Sequence, residues 1–343
     1  MLNPTLEPDD QPNTVSLVAA IADYAASFSV DSDSAITAAR HCLIDALGSG
    51  FAALRDPECA AQIGPLVPGA LMPGGARVPG TSLELDPAQA AFCTTLMLCH
   101  SRSPSQWLAL RIGSTADSLG AILAAADYQG RKAIMEGKSP PKVRDVLGAI
   151  VKALEIQGVL IPGDPERQLG LGMAVRLARA GASAMVAAQL GGTLGQIVAA
   201  LSYACIDSGL WIDDHERLRV RHCDWAMADG AARAVRHACQ VMFGPADYLT
   251  PIDLKAVDLA GAILGGNVSR DRKSFGTVII DRLAAARRPH EVTELMARFL
   301  AAVDRYFPTR QGERIKALFA APERLDDLPV NELLAALVTN GAR

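Results

Sequence analysis

Between residues 34 and 54 the apolar side chains Ile36, Ala39, Leu43, Leu47, Phe51 and Leu54 recur every three or four positions. That spacing places all of them on one face of a helix. The pattern returns along the chain and constrains the fold more than any other feature, because a run of amphipathic helices must bury its stripes against one another. Helices are expected over about 15–28, 34–54, 87–99, 115–126, 143–160, 169–190, 193–206, 224–243, 250–264, 291–306, 311–319 and 329–338. Several starts carry cap chemistry: Asp86 precedes Pro87, Thr193 opens one helix, and Thr250-Pro251-Ile252-Asp253 opens another. Aromatic residues are only 5% of the chain, which suits closely packed helices better than a β-sandwich. Gly48 and Gly50 interrupt the second helix and imply that a neighbouring element passes close to it.

Two stretches depart from helical spacing. Residues 56–86 alternate Pro57, Pro65, Pro68, Pro73 and Pro79 with glycines and read as a long connection. Arg77–Val78 and Ser82–Leu85 are its only candidate strands. Near Phe275–Asp281 the row Thr277, Val278, Ile279, Ile280 looks briefly β-like. The class is mostly α. No repeat of fixed period is present.

The 343 residues allow two domains, or one large one with an appendage, and half of them are apolar, enough for a sizeable core. The formal charge of −4 and a pI near 5.9 argue against nucleic acid or an anionic membrane as the main partner. No uncharged apolar run reaches the ~20 residues of a membrane helix. Met1–Asp10 is acidic and holds two prolines, unlike a secretory or organelle leader, so a cytoplasmic protein is expected. The seven cysteines show no Cys-x-x-Cys and read as small core residues in a reducing compartment.

Residue chemistry by itself reveals no convincing active site. Gly170-Leu171-Gly172 follows no strand and lacks the third glycine of a nucleotide loop. Gly113-Ser114-Thr115 is not a nucleophile elbow, since the second glycine is missing. Cys93, Cys99 and His100 read as core packing rather than a metal site. Asp213-Asp214-His215 reads as a solvated helix end, with a divalent-metal corner as the alternative. In His222-Cys223-Asp224, adjacent helical residues point about 100° apart, so the three cannot converge on one atom. A helix start with Asp224 near the N-terminal dipole is the simpler reading. No cofactor and no metal are expected.

Long stretches nevertheless resemble the MmgE/PrpD family. They include His41-Cys42-Leu43-Ile44-Asp45-Ala46-Leu47-Gly48, Gly75-Ala76-Arg77-Val78-Pro79-Gly80-Thr81, Leu119-Gly120-Ala121-Ile122-Leu123, Arg144-Asp145-Val146-Leu147 and Glu155-Ile156-Gln157-Gly158. The tail Pro329-Val330-Asn331-Glu332-Leu333 is also similar. The resemblance implies a large all-helical domain with a smaller α+β lid inserted in the chain. It implies a hydro-lyase that takes water from a hydroxy-tricarboxylate such as 2-methylcitrate or a longer alkylcitrate. Such chemistry needs a base beside a carboxylate, cations to hold carboxylates, and an acid for the departing hydroxide.

The same register shows where this chain departs. The family's Asp-Phe-Asn-Asp-Thr-Trp ends here at Trp107, and the four residues before its Thr-Trp pair are Arg102, Ser103, Pro104 and Ser105. In Gly-His-Pro-Ser-Asp, Gly113 and Asp117 persist while Ser114 replaces the histidine. Gly-Leu-Asp-His becomes Gly170-Leu171-Gly172-Met173. The Arg-Lys pair before the family's Trp-Ala helix becomes His222-Cys223. Serine is no base at neutral pH without a helper, and cysteine cannot replace a permanent cation. Only about thirty residues, 244–275, stand where the family has most of its lid.

The expectation is therefore a tail over 1–13, a helical domain over 14–243, a truncated lid remnant over 244–288, and C-terminal helices over 289–343 completing the fold. The cleft should be lined by Arg102, Ser105, Ser114, Asp117, Met173 and Cys223. Arg102, Asp117, Glu155 and Gln157 are the candidates for binding a substrate. A small-molecule tricarboxylate is the expected ligand, and the expected assembly is a homodimer or a heterodimer with a full-length relative. Two functions follow from the resemblance: an altered dehydratase-like lyase, or a non-catalytic relative acting as scaffold or partner subunit of an active dehydratase or decarboxylase.

Overall fold

The computed structural model describes residues 14–100, 116–160, 171–207, 221–245 and 275–339. Four helices open the chain and frame a small hairpin: α1 (Thr14–Ser27), α2 (Asp33–Ala53), α3 (Pro57–Ala60) and, after the hairpin, α4 (Pro87–His100). The hairpin is β1 (Ala76–Arg77) against β2 (Glu84–Leu85), antiparallel, with Ala76 opposite Leu85. Next come α5 (Ala116–Met135), α6 (Val143–Leu160), α7 (Leu171–Gln189), α8 (Leu194–Ile206) and α9 (Arg221–Phe243). The C-terminal set is α10 (Val278–Ala286), α11 (Pro289–Tyr306), α12 (Thr309–Phe319), α13 (Pro322–Asp327) and α14 (Val330–Ala336). The helix expected over 250–264 lies outside the described residues.

Local chemistry explains most starts. Ser32 accepts the Ala35 amide at the head of α2. The Asp86 carboxylate accepts the amides of Ala88 and Gln89 at the head of α4. Thr193 and Gln196 form a reciprocal capping box on α8, each side chain taking the other's backbone amide, at 3.3 and 2.9 Å. Thr193→Ala is expected to cost ~1 kcal/mol of stability, read as a shift in the denaturant midpoint with an unchanged slope.

The row Thr277-Val278-Ile279-Ile280, expected to be β-like, is instead the start of α10. Propensity favours a strand there, but tertiary partners decide otherwise. The buried carboxylate of Glu155 on α6 accepts the backbone amides of both Ile279 (2.5 Å) and Ile280 (3.0 Å). Those are orphan donors of a helix N-terminus, so the carboxylate stabilises the helical turn. Thr277 Oγ1 and Ser34 Oγ both donate to Asp281, closing the same turn onto α2. α3 and α13 are short helices that the periodicity does not reveal.

The central layer is α4, α5, α7 and α9, with α4 packed on α5 and α9, and α7 packed on α5, α6, α8 and α9. Their contact faces are mostly Ala, with Leu, Val and Ile filling between. The C-terminal helices pack on this body. Phe51 of α2 sits at the hub of an aromatic cluster, edge-on to Phe307 at 4.9 Å and stacked on Tyr306 at 6.0 Å. Arg77 ties the hairpin to α5 and α14, holding both carboxylate oxygens of Asp127 and the carbonyl of Asn331. Arg40 on α2 grips Asp326 on α13 through two parallel bonds, the planar fork that suits a carboxylate.

Candidate active site

Several helix ends gather at one end of the bundle. The C-terminus of α4 contributes Cys99, the N-terminus of α7 contributes Ala174 and Val175, and the N-terminus of α9 contributes Ala226 and Met227 to one small apolar cluster. The N-terminal ends of α7 and α9 thus meet the C-terminus of α4 in this cluster. Elsewhere in the body, Gln157 near the C-terminus of α6 donates to Ser118 in the first turn of α5 at 3.4 Å. α5 and α9 carry Asp117 and Asp224 in their first turns, whereas α7 carries no acid there.

The candidate residues divide accordingly. Arg102, Ser105 and Ser114 lie outside the described residues. Asp117 is fully buried at the head of α5. Met173 is half-buried and packs against the main core. Cys223 is half-buried in the first turn of α9, and burial, then the neighbouring Asp224 charge, pushes its thiol above the usual range. Cys223 is thus a neutral thiol at pH 7 rather than a thiolate. Glu155 is buried, and its Oε1 accepts the Ile279 and Ile280 amides at the head of α10. Gln157 is fully buried, and its Oε1 has no hydrogen-bond partner among the described residues. The deeply buried thiols Cys59 and Cys205 are pushed up to about 12, as inert core cysteines are.

His100 was expected to be core packing, yet the structure gives it a defined polar role. Its Nδ1 lies 2.9 Å from Asp224 Oδ2 on α9, and its Nε2 lies 3.1 Å from Asp56 Oδ2 at the head of α3. The doubly protonated ring is the form that donates to both carboxylates. This group pins the end of α4 to the start of α9, next to Cys223. Asp56 and Asp224 are 44 and 124 residues away in sequence, so no local signal announces it.

A second polar cluster closes the C-terminus of α8. Arg179 on α7 is almost fully buried and donates Nε to the Ala204 carbonyl at 3.1 Å, while also binding the Asp207 backbone carbonyl. The Asp207 carboxylate receives Arg179 at 3.4 Å, Arg233 at 2.8 Å and His237 at 3.2 Å. Burial alone would raise the Asp207 carboxyl, but Arg179 and Arg233 outweigh it and hold it below the usual range. Burial lowers His237, against the pull of Asp207. Both groups therefore favour folding most in their deprotonated forms. The His237 contribution is full above about pH 6.5 and is lost as pH falls through the lowered folded value; the Asp207 contribution follows below about pH 4. The melting temperature is expected to fall as pH drops below about 6.5, with a shallower slope in His237→Asn, as read by calorimetry across a pH series. An equal slope in that variant would remove His237 from the account.

Among the described residues no group of three or more His, Cys, Asp or Glu side chains is placed to hold a metal ion. Among them, too, no helix is long and apolar enough to cross a membrane. Comparison with known proteins bears on the fold and the site together. Residues 19–246 match the MmgE/PrpD N-terminal domain. The chain is 35% identical to the 2-methylcitrate dehydratase of Cupriavidus necator over 280 residues, covering 80% of this chain and 56% of that protein. It is 35% identical over 270 residues to the 2-methylcitrate dehydratase of Salmonella typhi (77% and 54% covered). It is 34% identical over 276 residues to the mitochondrial 2-methylcitrate dehydratase of Yarrowia lipolytica (80% and 53% covered). The chain spans about half the length of the curated relatives it matches. A helical body of this order and a match that begins within α1 and runs through α9 lead to one conclusion: the chain belongs to the MmgE/PrpD family.

Proposed function

We propose that this protein keeps the family's helical cradle but has lost the machinery for dehydrating a 2-methylcitrate-type tricarboxylate, and that it serves as a binding or scaffold subunit. The observation that carries this reading is the chemistry at Met173 and Cys223. The family resemblance assigns a histidine to the first position and a lysine to the second. Here the first is an apolar thioether and the second a neutral thiol. A tricarboxylate carries up to three charges at neutral pH, and each one left unpaired in a desolvated site costs affinity. The remaining site positions, Arg102, Ser105, Ser114 and Asp117, belong to this reading. Arg102 is the one new cation and would hold a single carboxylate. The shortened stretch 244–275 leaves less chain to close over a substrate and exclude water.

A second reading, a residual carbon–oxygen lyase, draws on His100. A carboxylate-held imidazole beside the site is a group able to move a proton. Calorimetric titration with 2-methylcitrate separates the readings in part. The proposal expects binding no tighter than about millimolar, unaffected by His100→Gln. Micromolar binding that His100→Gln abolishes would favour the lyase. The scaffold role further expects a homodimer, or a heterodimer with a full-length relative, built on close-packed Ala- and Gly-rich helices. Light scattering that shows a monomer, with no association on mixing with a full-length relative, would count against it.

A further inference from the structure

An open groove of about 590 Å³ runs between α2 and α11, away from the helix ends described above. The two helices lie side by side in the same direction: Asp45 meets Arg298, Gly48 lies under Phe299, and Phe51 stacks on Tyr306. A Cβ on Gly48 would stand 3.0 Å from the Phe299 Cα, so the missing side chain is what lets the backbones approach. The floor is apolar, made by the buried Gly48, Phe299, Leu295 and Ala302, with the exposed Ala52 along one wall.

The rim is positive. It carries Arg55, Arg298 and Arg305 against one acid, Asp45. Asp45 is engaged with Arg298 at 3.1 Å. Among the described residues, no ion pair involves Arg55 or Arg305. These two stand where α2 and α11 both end, so one end of the groove holds two cations over an apolar floor. That concentration occurs in a chain whose net charge is −4. A guanidinium binds a carboxylate through a planar fork, and an apolar floor removes an alkyl chain from water. A second copy of the chain, seated here about a two-fold axis, would bring the same positive rim against itself.

We propose that this groove binds a carboxylate-bearing amphiphile, its alkyl chain along the Gly48–Phe299 floor and its carboxylate at the Arg55–Arg305 end. The volume falls within the range of small-molecule sites. The probe is octanoate, titrated into the purified protein by calorimetry, with octanol as its uncharged counterpart. Octanoate is expected to saturate the protein, and octanol to bind about ten-fold more weakly or not at all. The double variant Arg55→Glu/Arg305→Glu is expected to weaken octanoate about ten-fold or more. Ala52→Trp, which fills the groove wall, is expected to abolish it. Both variants change exposed positions, and a thermal melt checks that they fold; should Ala52→Trp fail to fold, the charge-reversal variant alone decides. Absence of saturable octanoate binding, equal binding of octanol, or octanoate affinity unchanged by charge reversal would each overturn the proposal. So would light scattering that showed a dimer dissociated by the charge-reversal variant.

Discussion

Replacing Gly120 by valine is expected to cost at least about 3 kcal/mol of stability and to leave little folded protein at 37 °C. Gly120 lies on α5 where it crosses α4, and a Cβ there would stand 2.6 Å from the backbone nitrogen of Thr95. No real Cβ tolerates that distance, and although the Thr95 Oγ1 stands nearer still, turning it aside leaves the helix backbone in the way. Thr95 itself is fully buried, so it has no free volume into which to retreat. α4 and α5 would have to separate. Gly195 is the control. Nothing lies within 4 Å of a Cβ there, and its backbone does not require glycine. Gly195→Ala is expected to be neutral or to gain up to ~1 kcal/mol through a less entropic unfolded chain. Urea unfolding of both variants measures the contrast. Equal stability of Gly120→Val and the parent would show that the helix crossing is looser than the structure has it.

Glu155→Ala is expected to have the next largest effect, about 3 kcal/mol. The substitution orphans two buried amides at the head of α10, those of Ile279 and Ile280. Bonds to a charged acceptor are worth ~1.5–3 kcal/mol each, and leaving the donors buried without water adds to the loss. Glu155→Gln keeps an acceptor of the same shape and removes the charge, so it is expected to lose about half as much. The readout beyond global stability is local: hydrogen exchange should accelerate at 278–282 in Glu155→Ala before it does elsewhere. A substrate-binding role for Glu155 predicts something different, namely unchanged stability with weakened ligand binding in both variants. The geometry favours the structural role, and this pair of measurements separates the two.

The comparison of sequence with structure turns on how far apart the deciding partners lie. The capping box of Thr193 and Gln196 is legible because both partners stand within three residues. The hairpin of Ala76–Arg77 and Glu84–Leu85 is nearly so, set among its prolines and glycines. α10 was misread because the carboxylate that fixes it comes from Glu155, 124 residues earlier. His100 was misread for the same reason, since Asp224 and Asp56 reach it from other helices. Met173 and Cys223 carry no chemical signal of their own, and only resemblance to a family pattern marks them as site positions. Arg102, Ser105 and Ser114 are named by that pattern alone.

The proposed loss of dehydration chemistry at Met173 and Cys223 is tested most directly by turnover of 2-methylcitrate. The purified protein is incubated with 2-methylcitrate at neutral pH, and the alkene product is followed by its ultraviolet absorbance beside an intact relative at equal concentration. A variant with Arg102→Asp, Ser105→Asp, Ser114→His and Cys223→Lys runs in parallel. The account predicts no product above the buffer rate from the parent. It predicts little from the variant, because Met173 and the proposed shortening of the lid are unchanged. Turnover by the parent comparable to the relative would contradict the loss of dehydration outright, and near-full recovery in the variant would contradict the part assigned to the lid.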